Sequence, residues 1–194
     1  MGGIVREVRY WERPGPENTA ETLALAVGRA EELGLERIVV ASNTGATAKA
    51  LRGKAPADAA IVCVTHSVGF HKPGEDELSL EARRELAAAG VQVLTTTHFL
   101  AGVDRALRFL QGGQGGYHPA EIVAMSLRLL GQGLKVAVEI GTMATDAGLI
   151  PPGQEVVAIG GTGRGADTAL VLRPAHGQSF FETRVVETIC APRG

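Results

Sequence analysis

The chain has 194 residues, 45 % of them apolar and 21 % charged, with a formal net charge of −2 from 19 basic and 21 acidic side chains. That length supports one core without disulfides, and no basic stripe or polyacidic tail calls for nucleic acid or an anionic membrane surface. No N-terminal run reads as a secretory signal and no apolar stretch is long enough to span a bilayer, so the cytoplasm is the expected location.

Taken in chain order, Ile4 to Tyr10 alternates as a strand should and is broken by Trp11-Glu12-Arg13-Pro14-Gly15-Pro16. A helix follows, with Asn18 or Thr19 as N-cap, Glu21 in its first turn, apolar residues Leu23, Ala26, Val27, Ala30 and Leu33 at helical spacing, and Gly34 just past its end. Arg37 to Ala41 is too short and too apolar for anything but a buried strand. Ser42 to Thr47 turns into a short helix ending near Gly53. Strand Ala60 to Thr65, loop His66 to Gly74, helix Ser79 to Ala89, Gly90 and strand Val91 to Thr96 repeat the pattern.

Helix Leu100 to Leu110 leads into the glycine-rich connector Gln111 to Gly116, the one candidate seam, read here as an internal turn. Pro119, at a first helical position, opens a helix to about Leu130, and Leu134 to Gly148 keeps a 3.6-residue period. Glu155 to Gly160, Thr168 to Leu172 and Thr183 to Cys190 read as strands that extend the sheet in antiparallel fashion. Strands alternating with helices predict one α/β domain over residues 1–194: three layers, a mostly parallel sheet with helices on both faces, and an antiparallel C-terminal extension. Cys63 and Cys190 lie in apolar strand-like runs and read as buried thiols.

Glycine is in excess, 26 of 194 residues against a usual ~7 %. Two loops concentrate the interest. In a parallel sheet the loops leaving the strands gather at one edge, where the following helices present their positive N-termini. Val39 to Ala48 delivers a buried strand into a hydroxyl-rich turn with one glycine and then directly into a helix. Ser42, Thr44 and Thr47 offer hydroxyls and Gly45 a close backbone approach, which suits a phosphate. The competing reading is a capped helix whose Ser and Thr satisfy only their own backbone. The second loop, Gly160-Gly161-Thr162-Gly163-Arg164-Gly165-Ala166-Asp167, leads into a strand and not a helix, which argues against a dinucleotide fingerprint. A plain hairpin is its alternative; Arg164 would add a charge-assisted bond to an anion, and Asp167 would accept from ligand hydroxyls or anchor the loop. Asn18 and Thr19 belong to the same edge.

His66 and His98 each follow a strand and should face that edge, as ligand contacts or as structural hydrogen-bonding groups. No histidine spacing fits a metal motif and no acidic residue stands with them in ligand register. A Gly-x-Ser-x-Gly elbow and a Walker loop are absent. Glu139 and Asp146 read as solvated or capping groups. No general base is assigned.

Ile38 to Ala48, Ile61 to Thr65 and Gly148 to Val157 resemble the C-terminal α/β domain of pyruvate kinase, in which the strand–Ser/Thr–Gly–helix loop holds a phosphate of an allosteric sugar bisphosphate. The catalytic barrel of that enzyme is missing, so its activity is not implied. Pro14 to Thr19, Val39 to Ala48, Thr65 to Phe70, Lys135 to Ile140, Met143 to Ile150 and Gly160 to Leu172 are similar to a small family of stand-alone archaeal and bacterial proteins of that fold, which look like binders of flavin mononucleotide (FMN). This resemblance implies FMN as cofactor, its phosphate on Ser42, Asn43, Thr44, Gly45 and Thr47. It implies the ring system near His66, Phe70, Met143 and the loop of Gly160, Gly161, Thr162 and Gly163, with Asp167 beside it. Asn18, Thr19, His98 and Arg164 are the expected substrate contacts, and Arg164 stands where the family varies. A flavoenzyme of unassigned substrate and a non-catalytic sensor of a phosphorylated metabolite both stay open, as does assembly into a homo-oligomer.

Overall fold

Local sequence and burial place the strands where apolar, β-branched runs meet turn residues. The computed structural model describes residues 3–110, 112 and 118–193. Its strands are β1 (Arg9–Trp11), β2 (Arg37–Ala41), β3 (Ala60–Thr65), β4 (Val91–Thr95), β5 (Val156–Gly160), β6 (Thr168–Arg173) and β7 (Arg184–Pro192). Its helices are α1 (Thr19–Leu33), α2 (Ala46–Arg52), α3 (Leu80–Ala88), α4 (Gly102–Leu110), α5 (Pro119–Arg128) and α6 (Gln132–Asp146). The connector Gln111 to Gly116 lies outside the described residues save for Gly112. No helix among the described residues is long and apolar enough to cross a membrane.

The strands form one seven-stranded sheet in the order β1-β7-β6-β5-β2-β3-β4. Neighbours pair in parallel except at β5–β6 and β6–β7, so β6 alone runs against the rest. The expected antiparallel C-terminal extension is present: β6 pairs antiparallel with both β5 and β7, while β5 joins the parallel core through β2 and the two reversals around β6 return β7 to the common direction. The first strand is shifted. Ile4 and Val5 are 81 % and 93 % exposed, so their alternation has no packed face to serve, and pairing starts only at Arg9, opposite Cys190.

Alternation within β2 sorts side chains to two cores. Ile38 and Val40 pack with Leu23 and Ala26 of α1, Ala48 and Leu51 of α2 and Leu86 of α3. Val39 points the other way, into a second cluster with Leu134, Ala137, Val138 and Ile140 of α6. Each such buried aliphatic contributes ~1.5–3 kcal/mol. Helices therefore cover both faces, α1–α3 on one and α6 on the other, with α5 packed outside α6. Helix α1 ends on Gly34 in the left-handed conformation (φ 64), donating back to Ala30 and Glu31. Cys63 and Cys190 are buried as expected, and burial pushes their thiols up to about 12 and about 11. At neutral pH neither is a nucleophile.

The chain leaves β2 toward β3 on one side and leaves β5 toward β6 on the other. This divergence opens a crevice at the C-terminal ends of β2 and β5, the place where sheets of this kind bind ligands.

Candidate functional site

The crevice is a cleft of about 920 Å³ walled by the turn after β2, the ends of β3 and β4, the loop after β5 and the first turns of α6. Its lining includes Thr19, Ser42, Asn43, Thr44, Thr47, His66, His98, Gly161, Gly163 and Arg164, nearly all expected at this edge from sequence.

Within the first wall the two readings of the hydroxyl-rich turn divide between residues. Ser42 is 6 % exposed, and its Oγ accepts from the N–H of Thr47 (3.1 Å) and of Ala48 (3.3 Å). Its oxygen thus caps α2, as the competing reading had it, while the residue also lines the cleft. The N–H groups of Asn43, Thr44, Gly45 and Ala46 donate to no protein acceptor among the described residues. Gly45 makes this possible by standing at φ 84, a conformation that other residues rarely adopt.

The turn is tied to the neighbouring strand by Asn43. Its Oδ1 accepts from the His66 N–H (3.1 Å), which directs its Nδ2 toward His66 Nε2, also at 3.1 Å. On the other side of the ring, Nδ1 lies 2.5 Å from Glu77 Oε2. Because Asn43 Nδ2 can only donate, Nε2 accepts and the Nδ1 proton goes to Glu77. Phe70 stacks on His66 at 3.8 Å between centroids and 21° between planes, with the Arg105 guanidinium 4.7 Å from the Phe70 centroid. Glu77 was missed from sequence, and with it the expectation that no acidic residue accompanies the histidines is overturned. It lies eleven residues beyond His66 in irregular chain, where no period reveals it.

His98 is the other imidazole at this edge, its ring 5.2 Å from that of His66. Burial pushes it down to about 4; Glu139 opposes that shift, while His66, Lys135 and Arg105 add to it. An imidazole in the unfolded chain titrates near 6.5. Between those two values the unfolded chain carries a proton that the folded chain does not, so stability falls as pH drops through that window. We expect His98 to account for ~1–3 kcal/mol of loss and His98→Gln to flatten the slope. Urea unfolding at about pH 7 and about pH 4.5 checks this; equal slopes in both proteins would refute it.

The loop after β5 is built by glycines and by Asp167. A β-carbon on Gly161 would lie 2.4 Å from Gly165 O, and one on Gly165 2.7 Å from Pro16 Cα. Thr19 Oγ1 accepts from Ala166 N–H (3.0 Å), binding this loop to the start of α1. Asp167 is fully buried: its carboxylate accepts from Thr162 N–H (3.1 Å) and Thr168 Oγ1 (2.9 Å), and its carbonyl from Trp11 Nε1 (2.7 Å). It anchors the loop and does not reach the cleft. Arg164 is exposed at the rim and forms no ion pair among the described residues.

Three further sequence assignments are corrected. Gly160 packs against the α6 backbone and lies outside the cleft lining. Met143 is 4 % exposed in the core; α6 enters the cleft through Gln132, Val136, Glu139 and Ile140, and Met143 falls beyond them along the helix. Asn18 donates to Arg13 O (2.9 Å) and is not part of the lining. Glu139, expected to be a solvated or capping group, is 3 % exposed and Lys135 6 %. They form an ion pair one helical turn apart, and Glu139 Oε1 also accepts from Leu100 N–H (2.8 Å). Burial holds the Lys135 ammonium below its ordinary range, against the pull of Glu139.

The family described as pyruvate kinase, alpha/beta domain, matches residues 20–172 of the chain. Among solved structures, a pyruvate kinase from Cryptosporidium parvum is 20 % identical, with 75 % of this chain and 21 % of that chain covered and a TM-score of 0.37. A pyruvate kinase of the same organism in complex with ADP is 18 % identical over 90 % of this chain and 25 % of that one, at a TM-score of 0.40. A third from that organism is 19 % identical over 76 % and 22 %, at 0.37. The chain thus matches only about a quarter of the length of these enzymes.

Proposed function

The chain belongs to the pyruvate kinase alpha/beta domain family, and from that premise we propose that its cleft binds FMN by the phosphate. One observation carries the proposal: four consecutive N–H groups, Asn43 to Ala46, lack acceptors among the described residues at the wall of a cleft of about 920 Å³. Oriented amides of this kind favour a dianion, and the volume lies in the range of small-molecule sites. Thr44 and Thr47 add hydroxyls, and Arg164 adds a cation at the rim. Val136 and Ile140 supply an apolar wall for a ring system, with the His66–Phe70 stack beside it. His98, neutral at physiological pH, can donate to or accept from a ligand there. A bound flavin would bring redox chemistry of its own.

A second reading is favoured by one observation. Both nitrogens of His66 are engaged, by Asn43 and by Glu77, which leaves that residue no free basic atom. A non-catalytic sensor of a phosphorylated sugar would need none. The two readings separate in a thermal-shift assay. FMN at about a hundred times its Kd should stabilise the protein by ~2.7 kcal/mol, with fructose bisphosphate silent, and purified protein should keep flavin absorbance through desalting. A shift with the sugar bisphosphate alone would move the assignment to the sensor. No shift with either would remove both.

The turn itself is tested by Gly45→Val. A β-carbon there would sit 3.0 Å from Leu78 Cδ1 and 3.1 Å from Leu86 Cδ1, at φ 84. The strain costs ~1–3 kcal/mol and should displace the amides, so the FMN-dependent shift is lost while the far-UV spectrum stays native. A variant that keeps wild-type affinity would place the phosphate elsewhere.

A further inference from the structure

The geometry points to a second site at the mouth of the cleft: a borderline-soft divalent cation of the zinc class, held by His66, His71 and Glu77. It rests on side chains present whether or not FMN binds. The loop between β3 and α3 folds back on itself, with Gly69 N–H donating to Glu75 O (2.8 Å) and Phe70 N–H to Ser67 O (3.2 Å). Asp76 pins its far end, accepting from Leu78 N–H (3.0 Å) and pairing with Arg83 (2.8 Å). Glu77 is thereby set between two imidazoles. Its Oε2 lies 2.5 Å from His66 Nδ1 and its Oε1 3.6 Å from His71 Nε2. One donor atom from each of the three residues falls within 4.8 Å of the others.

Two imidazoles and a carboxylate suit zinc and its first-row neighbours, whereas magnesium and calcium prefer oxygen throughout. Zinc bonds of about 2.1 Å put tetrahedral ligands roughly 3.4 Å apart. Glu77 Oε1 already stands near that spacing from His71 Nε2, and for the metal to take His66 Nδ1 the proton shared there with Glu77 Oε2 has to leave. His71 is 61 % exposed along its side chain while His66 and Glu77 are 23 %. The position beyond the three ligands therefore faces solvent, as in zinc sites that keep an open coordination place.

Metal on His66 Nδ1 requires the tautomer protonated at Nε2, so the one ring proton, shared with Glu77 in the free site, is exchanged through solvent from Nδ1 to Nε2. Asn43 Nδ2 faces that atom at 3.1 Å, so the carboxamide has to turn and offer its oxygen. That is the usual outer-shell support for a ligating histidine. Asn43 thus belongs both to the cation site and to the amide turn, and occupancy of one should alter affinity at the other by the same factor in each direction.

The test is calorimetric titration of chelator-treated, FMN-free protein with zinc, and with cobalt for its visible spectrum. One saturable zinc per chain is expected, unaffected by excess magnesium. His71→Ala and Glu77→Gln should each weaken it by at least the about 10–100-fold that losing an outer-shell partner costs, and Asn43→Ala by about tenfold. His71 is exposed, so its removal leaves the fold intact. His176→Ala, at a histidine paired with Asp146 at the far end of α6, should change nothing. Absence of saturable zinc binding, or full affinity retained by His71→Ala, overturns the proposal without touching the FMN reading, which the flavin shift tests alone.

Discussion

Gly160→Ala is expected to lower the free energy of unfolding by at least about 3 kcal/mol. The added β-carbon would lie 2.2 Å from Gly133 O and 3.0 Å from Ala137 N. Both are backbone atoms of α6, so no side chain can rotate aside; the helix must move off the sheet or the strand must bend. The approach is close from the helix side too, since a β-carbon on Gly133 would meet Thr168 Oγ1 at 2.1 Å. This contact brings the first turn of α6 down to the end of β5, and so fixes the cleft wall that carries Gln132 and Val136. Gly163→Ala is the comparison: nothing lies within 4 Å of its β-carbon, and only φ 79 opposes the change, for ~1 kcal/mol. Urea unfolding of the two variants should therefore differ by ~2 kcal/mol or more. Equal losses would mean that α6 yields freely and that its spacing does not shape the cleft.

Glu139→Ala is expected to cost ~3–5 kcal/mol, because it strands the Lys135 ammonium in a site only 6 % exposed. It also leaves Leu100 N–H without its acceptor. The penalty comes mainly from the uncompensated charge, and removing that charge should restore stability. The double variant Lys135→Met with Glu139→Leu is expected to recover most of the loss, since apolar groups of similar volume often replace a buried pair without net cost. A double-mutant cycle in denaturant measures this. If Glu139→Ala alone costs under about 1 kcal/mol, the pair is wetter than its burial implies.

Much of the architecture was legible where one local signal dominated. Arg37–Ala41 and Ala60–Thr65 fall on their expected bounds because short β-branched runs lie between turn residues and are buried on both faces. Helix α1 was read from its period, its acidic first turn and Gly34. The antiparallel course of Thr168–Arg173 was legible too, because only a short glycine loop separates it from β5 and leaves no room for a crossover. In the site, the turn after β2 was visible because hydroxyls and one glycine stand in sequence. Asp167 takes the anchoring one of its two expected roles, and Gly160 meets a helix where a ligand was expected, since a glycine-rich string does not tell which members approach a ligand and which approach a helix. Ser42 shows the same limit: a hydroxyl beside an anion turn and a hydroxyl capping a helix are spelled alike. Glu77 required the folded loop itself, and Lys135–Glu139 required knowing which side of α6 meets the sheet.

Strand β1 meets only β7 among the described strands, Arg9 opposite Cys190, and Trp11 reaches from it to Asp167. During synthesis the opening segment therefore waits through some 180 residues of chain before its partner emerges, a long closure that is slow and entropically costly. The layers around β2, β3 and β4 can consolidate meanwhile, since their pairings are nearer in sequence. The loop carrying Gly161 to Gly165 gains its indole brace only at the final step. The cleft wall at this loop should accordingly reach its final shape after bulk collapse, so that a nascent molecule can be compact while its cleft is still unfinished, until β1 has paired with β7.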